Sequence, residues 1–182
     1  MTDAETQLLN LLKQRSFREG SFRLASGVMS TYYIDGRMSA VYSAGAALIG
    51  QVLFERTKNL NVNAIGGLAV GAVPLTTAAV IAYHLNQRQL EGFWVRDEVK
   101  DHGTRKQIEG GLREGMRVVV VDDVITKGGS ALKAVQAVQK AKAEVVQVLA
   151  LVDRLQGAEQ LFRDNGINCY SAVFTIRDFG VQ

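Results

Sequence analysis

Two adjacent aspartates interrupt the apolar stretch RVVVVDDVITKGGSALKAV, residues 117–135. Four valines predict a buried strand, but burial does not explain Asp122 and Asp123, because ionised carboxylates at the edge of a core are costly without a partner. Small residues follow at 126–130, and a helix is predicted from Ser130. Backbone N–H groups in such a turn, with the positive end of the helix dipole, suit a phosphate dianion. Since sugar hydroxyls or hydrated Mg²⁺ would satisfy the carboxylates, the motif predicts a site for a phosphorylated sugar with magnesium.

Three other interpretations of this motif were weighed against the phosphate site. In the first, the aspartates only cap a turn and the glycines only punctuate a loop. In the second, the chain is a Walker-type NTPase, but the sequence lacks the G-x-x-x-x-G-K-[ST] motif. In the third, it is a phospho-receiver domain, but too little chain follows residue 123 to build one. The phosphate site is therefore the favoured interpretation.

Two further segments have residues suited to a charged ligand. GGLAVGAVP, residues 66–74, is a glycine-rich loop after a predicted strand; it is a candidate second anion site, although close packing explains such loops about as often. VRDEVKDHGT, residues 95–104, contains Arg96, Lys100, Asp101 and His102, and Gly103, Gly110 and Gly111 follow as hinges. This composition indicates a loop that closes over a charged substrate. The alternative is an ordinary solvated polar loop.

Apolar strands alternate with helices along most of the chain. Strands are predicted within 62–74, 91–99, 117–123, 144–154 and 171–179; helices are predicted within 43–59, from Pro74, from Ser130 and within 157–166. Thr2 and Glu5 fit a capping box for an N-terminal helix, and residues 21–39 suggest a hairpin that turns at Gly27. The pattern predicts an α/β fold with a central parallel sheet flanked by helices. Ligands then bind beyond the carboxyl ends of the strands.

Composition narrows the class of protein. The net charge of +3 over 182 residues does not by itself indicate nucleic-acid binding, and no nucleic-acid partner is expected. One cysteine, Cys169, excludes an internal disulfide framework and a multi-cysteine zinc site. No apolar run approaches the ~20 residues that span a bilayer, and the acidic start is not expected to be a signal peptide. We expect a cytoplasmic protein that does not contact a membrane.

Taken together, these segments resemble the type I phosphoribosyltransferases. VVVVDDVITKGGSA, residues 118–131, resembles the phosphoribosyl-pyrophosphate (PRPP) motif of that family. FRLASGVMSTYYID (22–35), VRDEVKDHGT (95–104) and LVDR (151–154) are similar to segments of its orotate branch, and GGLAVGAVP is similar to its pyrophosphate loop. The resemblance covers most of residues 17–157.

The resemblance implies a fold, an activity and partners. The fold would be one phosphoribosyltransferase domain over 1–182, with a helix and a small hood in about 1–40, an α/β core in 41–182 and a flexible loop at 97–111. The reaction would transfer ribose 5-phosphate from PRPP to orotate, giving orotidine 5′-monophosphate and pyrophosphate in pyrimidine (UMP) biosynthesis. It would require Mg²⁺. A homodimer is implied in which each 97–111 loop reaches the neighbouring active site.

The resemblance also implies roles for individual residues. Those implied to be catalytic are Lys100, Asp101 and His102. Those implied to bind PRPP are Arg96, Lys100, His102, Asp122, Asp123, Val124, Ile125, Thr126, Lys127, Gly128, Gly129 and Ser130. Those implied to bind orotate are Thr126, Arg154, Tyr32 and Tyr33. The pyrophosphate loop would use Gly67, Ala69, Val70 and Gly71. Magnesium would be held through the substrate, near Asp122 and Asp123.

The sequence departs from the family pattern at three positions. Asp97, Ala25 and Val70 stand where family members often have lysine. An acidic residue near a polyanion is expected to weaken PRPP binding unless Lys127, Arg105 or Lys106 compensates. Two alternatives to orotate transfer stay open at this point: a phosphoribosyltransferase for another base, and a PRPP-sensing regulatory protein without catalysis.

Overall fold

The structure is a computed structural model that describes residues 1–23, 27, 29–97 and 106–181. In this part of the chain the strands are β1 (Phe17–Arg23), β2 (Met29–Ile34), β3 (Ala64–Leu68), β4 (Glu91–Val95), β5 (Ile108–Gly110), β6 (Arg117–Ile125), β7 (Glu144–Asp153) and β8 (Tyr170–Thr175). The central sheet has the order β5-β4-β3-β6-β7-β8, and its pairs are parallel except β4 with β5. The predicted α/β fold with a central, mostly parallel sheet is therefore confirmed.

Helices cover both faces of this sheet. They are α1 (Asp3–Arg15), α2 (Arg37–Ala40), α3 (Ser43–Thr57), α4 (Ala72–Leu85), α5 (Gly129–Lys140) and α6 (Ala158–Asp164). Alternate valines of β6 explain the two layers. Val119 and Val121 pack in the core that includes α1, α3 and α4, whereas Val118 and Val120 pack in the core that includes α5 and α6. Because β6 is covered on both sides, its residues are apolar almost without a break.

The N-terminal hairpin of β1 and β2 forms the small antiparallel element predicted as a hood. Tyr32 and Ile34 of β2 are buried in the same core as α1. The Phe17 ring lies 5.9 Å from the Tyr32 ring and 5.4 Å from the Phe179 ring, measured between centroids. These contacts fix the hairpin against the domain, so that the end of β2 lies beside the end of β6.

Several boundaries differ from the sequence prediction. The predicted hairpin over 21–39 ends in α2, because the Asp35 carboxylate accepts a hydrogen bond from the Arg37 backbone and starts a turn. The polar segment 100–115 contains the short strand β5, and the last strand ends at Thr175 in a 3-10 turn, Ile176–Phe179, that Asp178 caps. Helix α4 begins at Ala72, two residues before Pro74, which the first turn tolerates.

Two predictions concern the whole chain: that it does not contact a membrane, and that it divides into a hood, a core and a flexible loop. Among the helices that the structure describes, none has the length and apolarity needed to cross a bilayer. The division into hood, core and flexible loop stays a prediction. Residues 98–105 of the predicted loop lie outside the described residues.

Candidate functional site

The acidic pair ends β6, which lies between β3 and β7 in the sheet. Asp122 is 8% exposed, and its Oδ1 accepts a hydrogen bond from the Asp123 backbone N at 3.0 Å. Burial, and then the charge of Asp123, raise the pKa of Asp122 to about 7. Burial also raises the pKa of Asp123. Two carboxylates this close, one buried and one partly buried, favour a ligand that brings hydroxyl donors or a cation.

A cavity of about 240 Å³ opens beside the acidic pair. Its described lining residues are Tyr33, Ile34, Asp35, Arg37, Leu68, Ala69, Gly71, Asp122, Asp123, Val124 and Ser130. Gly71 is needed for this arrangement, because a Cβ at that position would lie 2.5 Å from the Asp123 Oδ1. The cavity therefore joins three predicted elements, which are the acidic pair, the pyrophosphate loop and the start of α5, with the segment after β2.

The start of α5 has the features predicted for a phosphate cradle. Gly128 precedes the helix with a φ of +87°, and a Cβ there would lie 3.2 Å from the Phe162 ring, so glycine is required. The N-cap residue is Gly128, which has no side chain that could cap the first turn of α5. The space beside Gly129 is open. Backbone N–H groups in the first turn of a helix bind anions well.

Arg154 and Tyr32, which are 122 residues apart, meet at this edge of the sheet. The Arg154 Nε donates to the Tyr32 hydroxyl at 3.1 Å, and the guanidinium carbon lies 4.7 Å from the centre of the tyrosine ring. The Arg154 backbone N also donates to the Ile125 carbonyl at 2.8 Å, which ties it to the end of β6. The structure thus brings together two residues predicted to bind orotate, on segments that the sequence separates widely.

Other predicted residues are placed differently. Ile125 is buried in the core, Gly67 lies within β3 against the Val121 carbonyl, and Val70 is 71% exposed. Arg96 pairs with Glu109 at 2.9 Å and lines a different cavity from the acidic pair. The three residues predicted to be catalytic lie outside the described residues: Lys100, Asp101 and His102.

Sequence reasoning missed two charged residues of the cavity, Asp35 and Arg37. They follow the predicted strand in the segment YYIDGRMS, residues 32–39. The signal that would have found them is a polar D-G-R triplet directly after a strand, where ligand-binding loops of α/β folds lie. From that segment, the pattern predicts only Tyr32 and Tyr33 as site residues.

Asp97 has a partner that the sequence analysis did not name. The Lys133 Nζ of α5 lies 2.6 Å from the Asp97 Oδ1. Both side chains are more than half exposed, so the pair is screened by solvent and contributes little to stability. It does place a positive charge directly against the one acidic residue expected to oppose PRPP binding.

Replacing Lys133 with methionine is expected to raise the KM for PRPP about two- to fivefold, because Asp97 then presents an unpaired negative charge. The effect should shrink as salt is added. Initial rates measured at low and high ionic strength test this, with Lys142→Met, which breaks an exposed ion pair with Glu114 elsewhere, as the control variant. A KM that stays at the wild-type value at low salt would contradict the compensating role of Lys133.

The donor set at the acidic pair fits magnesium that is held mainly by a substrate. Carboxylate oxygens are hard ligands of the kind that Mg²⁺ takes, and a cation there would offset the burial of Asp122 and Asp123. In 1–23, 27, 29–97 and 106–181, no three histidine, cysteine, aspartate or glutamate side chains cluster as a metal site. The other ligands would then come from substrate oxygens and water.

The fold and this site define a class of protein. A buried acidic pair after the central strand, with glycine loops at the ends of neighbouring strands, is the arrangement that the resemblance implied. The model of the family described as "Phosphoribosyl transferase domain" matches residues 37–174. The chain therefore has the fold of the phosphoribosyltransferases and belongs to that family.

Individual relatives narrow this class. The chain is 41% identical to an orotate phosphoribosyltransferase of Rhodopirellula baltica over 181 residues, covering 96% of this chain and 93% of the relative. It is 42% identical to that of Streptomyces coelicolor, covering 90% of each. The crystal structure of the Mycobacterium tuberculosis enzyme in complex with PRPP is similar, with 35% identity, a TM-score of 0.81 and coverage of 98% and 99%. The chain belongs to the orotate phosphoribosyltransferase family.

Proposed function

We propose that this protein transfers ribose 5-phosphate from PRPP to N1 of orotate, giving orotidine 5′-monophosphate and pyrophosphate. The observation that carries the proposal is the convergence of the Asp122–Asp123 pair, the open first turn of α5 and the Arg154–Tyr32 pair at one edge of the sheet. An anion site, a site for hydroxyls or a cation, and a guanidinium lie together there. A sugar phosphate and an acidic base require these three kinds of group.

The two ends of PRPP would use different parts of the site. Backbone N–H groups at 126–130 would bind the 5′-phosphate, since the helix start offers donors and a positive dipole end. Asp122 and Asp123 would accept hydrogen bonds from the ribose hydroxyls. Ala69 and Gly71, at the start of α4, line the same cavity and would border the pyrophosphate. The sugar is thereby fixed at both ends, with its reacting carbon between them.

Magnesium would be held beside Asp122 and Asp123 together with substrate oxygens. When bound, Mg²⁺ neutralises charge on the pyrophosphate that departs. The protein's own contribution is to keep the two carboxylates buried and fixed. Lys100 and His102, on the predicted loop 97–111, would add cations to the pyrophosphate and exclude water from the reacting carbon.

The base would be recognised by Arg154. A guanidinium fork binds a carboxylate through two parallel hydrogen bonds, and orotate differs from the neutral pyrimidines by its carboxylate. The contact between Arg154 and the Tyr32 hydroxyl restricts where the guanidinium points. Tyr33, which is 40% exposed and lines the cavity, would border the ring together with Thr126.

A homodimer is part of the proposal, supported by the exterior of α4. This helix is mostly apolar, with Thr77 and His84 as its exposed polar residues, and Ile81 and Leu85 are 54% and 75% exposed. A cavity of about 520 Å³ between α3 and α4 adds an apolar surface lined by Phe54 and Ala78. A mostly apolar helix is usually covered. In this arrangement the 97–111 loop would reach the partner's site, and the protein would act in the cytoplasm in pyrimidine biosynthesis.

Orotate consumption tests this function directly. Loss of orotate absorbance should require PRPP and Mg²⁺ together. In Arg154→Gln the KM for orotate should rise about 10- to 50-fold, because a charge-assisted fork is lost while the PRPP site stays intact. Arg163→Gln, an exposed arginine on α6, is the matched control and should behave as wild type.

The same assay separates the alternatives. Turnover of uracil in place of orotate, with no effect of Arg154→Gln, would indicate a phosphoribosyltransferase for another base. Binding of PRPP without turnover of any base would contradict catalysis and indicate a sensor.

A further inference from the structure

Arg37 is a cation that faces the acidic pair and has no role in the reaction proposed above. Among the described residues that line the cavity, it is the single positive charge, against the carboxylates of Asp35, Asp122 and Asp123. PRPP would bring several more negative charges into this space. An anion enters such a cavity at a high Coulombic cost unless cations compensate.

Asp35 holds Arg37 in a fixed position. The Arg37 Nε and Nη2 each donate to Asp35 at 2.8 Å, and the Arg37 backbone N donates to the same carboxylate at 3.1 Å. This fork uses one edge of the guanidinium. The Nη1 atom has no hydrogen bond to a described residue, so its two N–H groups are donors that a ligand can use. The side chain of Arg37 is 53% exposed, which leaves it accessible.

The Asp35–Arg37 turn packs directly against the acidic pair. A Cβ on Gly36 would lie 2.9 Å from the Cβ of Asp123, so only glycine permits this approach. Burial raises the pKa of Asp123, and the charge of Arg37 opposes that shift. Asp123 in turn is among the groups that raise the pKa of Arg37, after Asp35. The two groups therefore interact across the cavity.

The start of α4 borders the same cavity. Ala69 and Gly71 line the cavity. Gly71 is the N-cap residue of α4 and has no side chain that could cap the first turn. The positive end of this 14-residue helix favours an anion, although the Val73 N already donates to the Val70 carbonyl and Pro74 has no N–H. The helix therefore adds its dipole to the charge of Arg37 rather than a row of free donors. Arg154 is not among the described residues that line this cavity, so Arg154 and Arg37 are not neighbours in it.

We propose that Arg37 binds the diphosphate arm of PRPP, and that Asp35 is a positioning residue that holds the guanidinium in place. This inference rests on the proposed function. It assigns to the D-G-R segment after β2 a cationic contact in the pyrophosphate subsite, opposite the start of α4. Replacing Arg37 should therefore weaken the binding of a diphosphate more than it weakens the binding of a nucleoside monophosphate.

Calorimetric titration separates these two affinities. Inorganic pyrophosphate with Mg²⁺ probes the diphosphate subsite. Orotidine 5′-monophosphate probes the 5′-phosphate subsite and the base subsite. In Arg37→Gln, the pyrophosphate affinity should fall about 10- to 50-fold, because a charged donor is lost, whereas the monophosphate affinity should change by less than about twofold. Arg163→Gln removes the same charge from an exposed ion pair elsewhere and should change neither affinity. A thermal melt checks that each variant is folded.

Four results would overturn the proposal or one of its parts. Unchanged pyrophosphate affinity in Arg37→Gln, or an equal loss for both ligands, would overturn the role of Arg37. Full recovery of pyrophosphate affinity in Arg37→Lys, which keeps the charge but cannot form the fork, would overturn the positioning role of Asp35. Wild-type protein that binds neither ligand would overturn the proposed function itself, which is a different result from lost selectivity in a variant.

Discussion

Replacing Asp122 with asparagine is expected to lower kcat/KM for PRPP about 100- to 1,000-fold, while raising the melting temperature of the ligand-free protein at about pH 8 by about 2–5 °C. Activity falls because a fixed negative group beside the ribose and the metal is lost. Stability rises because an ionised carboxylate no longer has to be buried. Asparagine keeps an oxygen that accepts the Asp123 backbone hydrogen bond, so the end of β6 should be unchanged.

The gain in stability should depend on pH in one direction. The pKa of Asp122 is raised to about 7 in the folded protein, from an ordinary value of 3.8. The folded state therefore holds this proton over a range in which the unfolded state has lost it, and stability falls as pH rises through that range. The cost of ionised Asp122 is fully present above about pH 7 and disappears toward about pH 4. The difference between Asp122→Asn and wild type should follow the same course.

Melting temperatures of both proteins across this pH range are the measurement. Asp164→Asn, which neutralises an exposed carboxylate on α6, is the control for net charge. A stability difference that is constant with pH, or that grows toward acid, would contradict the buried ionised state of Asp122. A variant that keeps wild-type turnover would instead remove the acidic pair from the proposed mechanism.

A mixture of two inactive variants is expected to regain activity, if the loop of one subunit completes the site of the other. Lys100→Ala should lower kcat/KM about 100-fold or more, because the departing pyrophosphate loses a cation, and Asp122→Asn should lower it through the acidic pair. A mixed dimer then contains one site with an intact loop and an intact acidic pair. Free subunit exchange should restore about a quarter of the wild-type rate, since about half of the dimers are mixed and each has one complete site.

The measurement is the rate of orotate consumption as the two variants are mixed at equal amounts. If each loop serves its own subunit, the mixed dimer has no complete site, and the mixture stays at the mean of the two variants. Light scattering of the wild-type protein, and of Leu85→Glu on the exposed side of α4, provides the control. A wild-type monomer in solution would contradict both the homodimer and the exchange of loops.

Both expected results involve Asp122, a group that costs the protein stability and is retained at the site. Asp122 is buried without a described cation in contact with it, and Asp123 is partly buried beside it. Structural elements elsewhere follow local preference, with apolar strands and capped helices such as Thr2–Glu5 in α1. A buried carboxylate without a partner departs from these preferences, and such departures are expected where a bound ligand supplies the partner.

The sequence by itself determined the fold class and the core of the site. An all-apolar β6 indicates a strand covered on both faces, and the paired aspartates with small residues and a helix start lie within nine consecutive residues, 122–130. Local chemistry is visible in a sequence because residues adjacent in the chain stay adjacent in space. The helix start at α5, with its glycines and small residues, was predictable for this reason.

Tertiary structure decided which distant residues complete that site. Arg154 meets Tyr32 across 122 residues because β7 ends beside β6 while the N-terminal hairpin packs on the same edge. Asp35 and Arg37 enter the cavity only because Gly36 lets their turn approach Asp123. Lys133 reaches Asp97 from the side of α5. Such contacts depend on strand order and on the helix face that a fold presents, and neither is encoded in the spacing of residues along the chain.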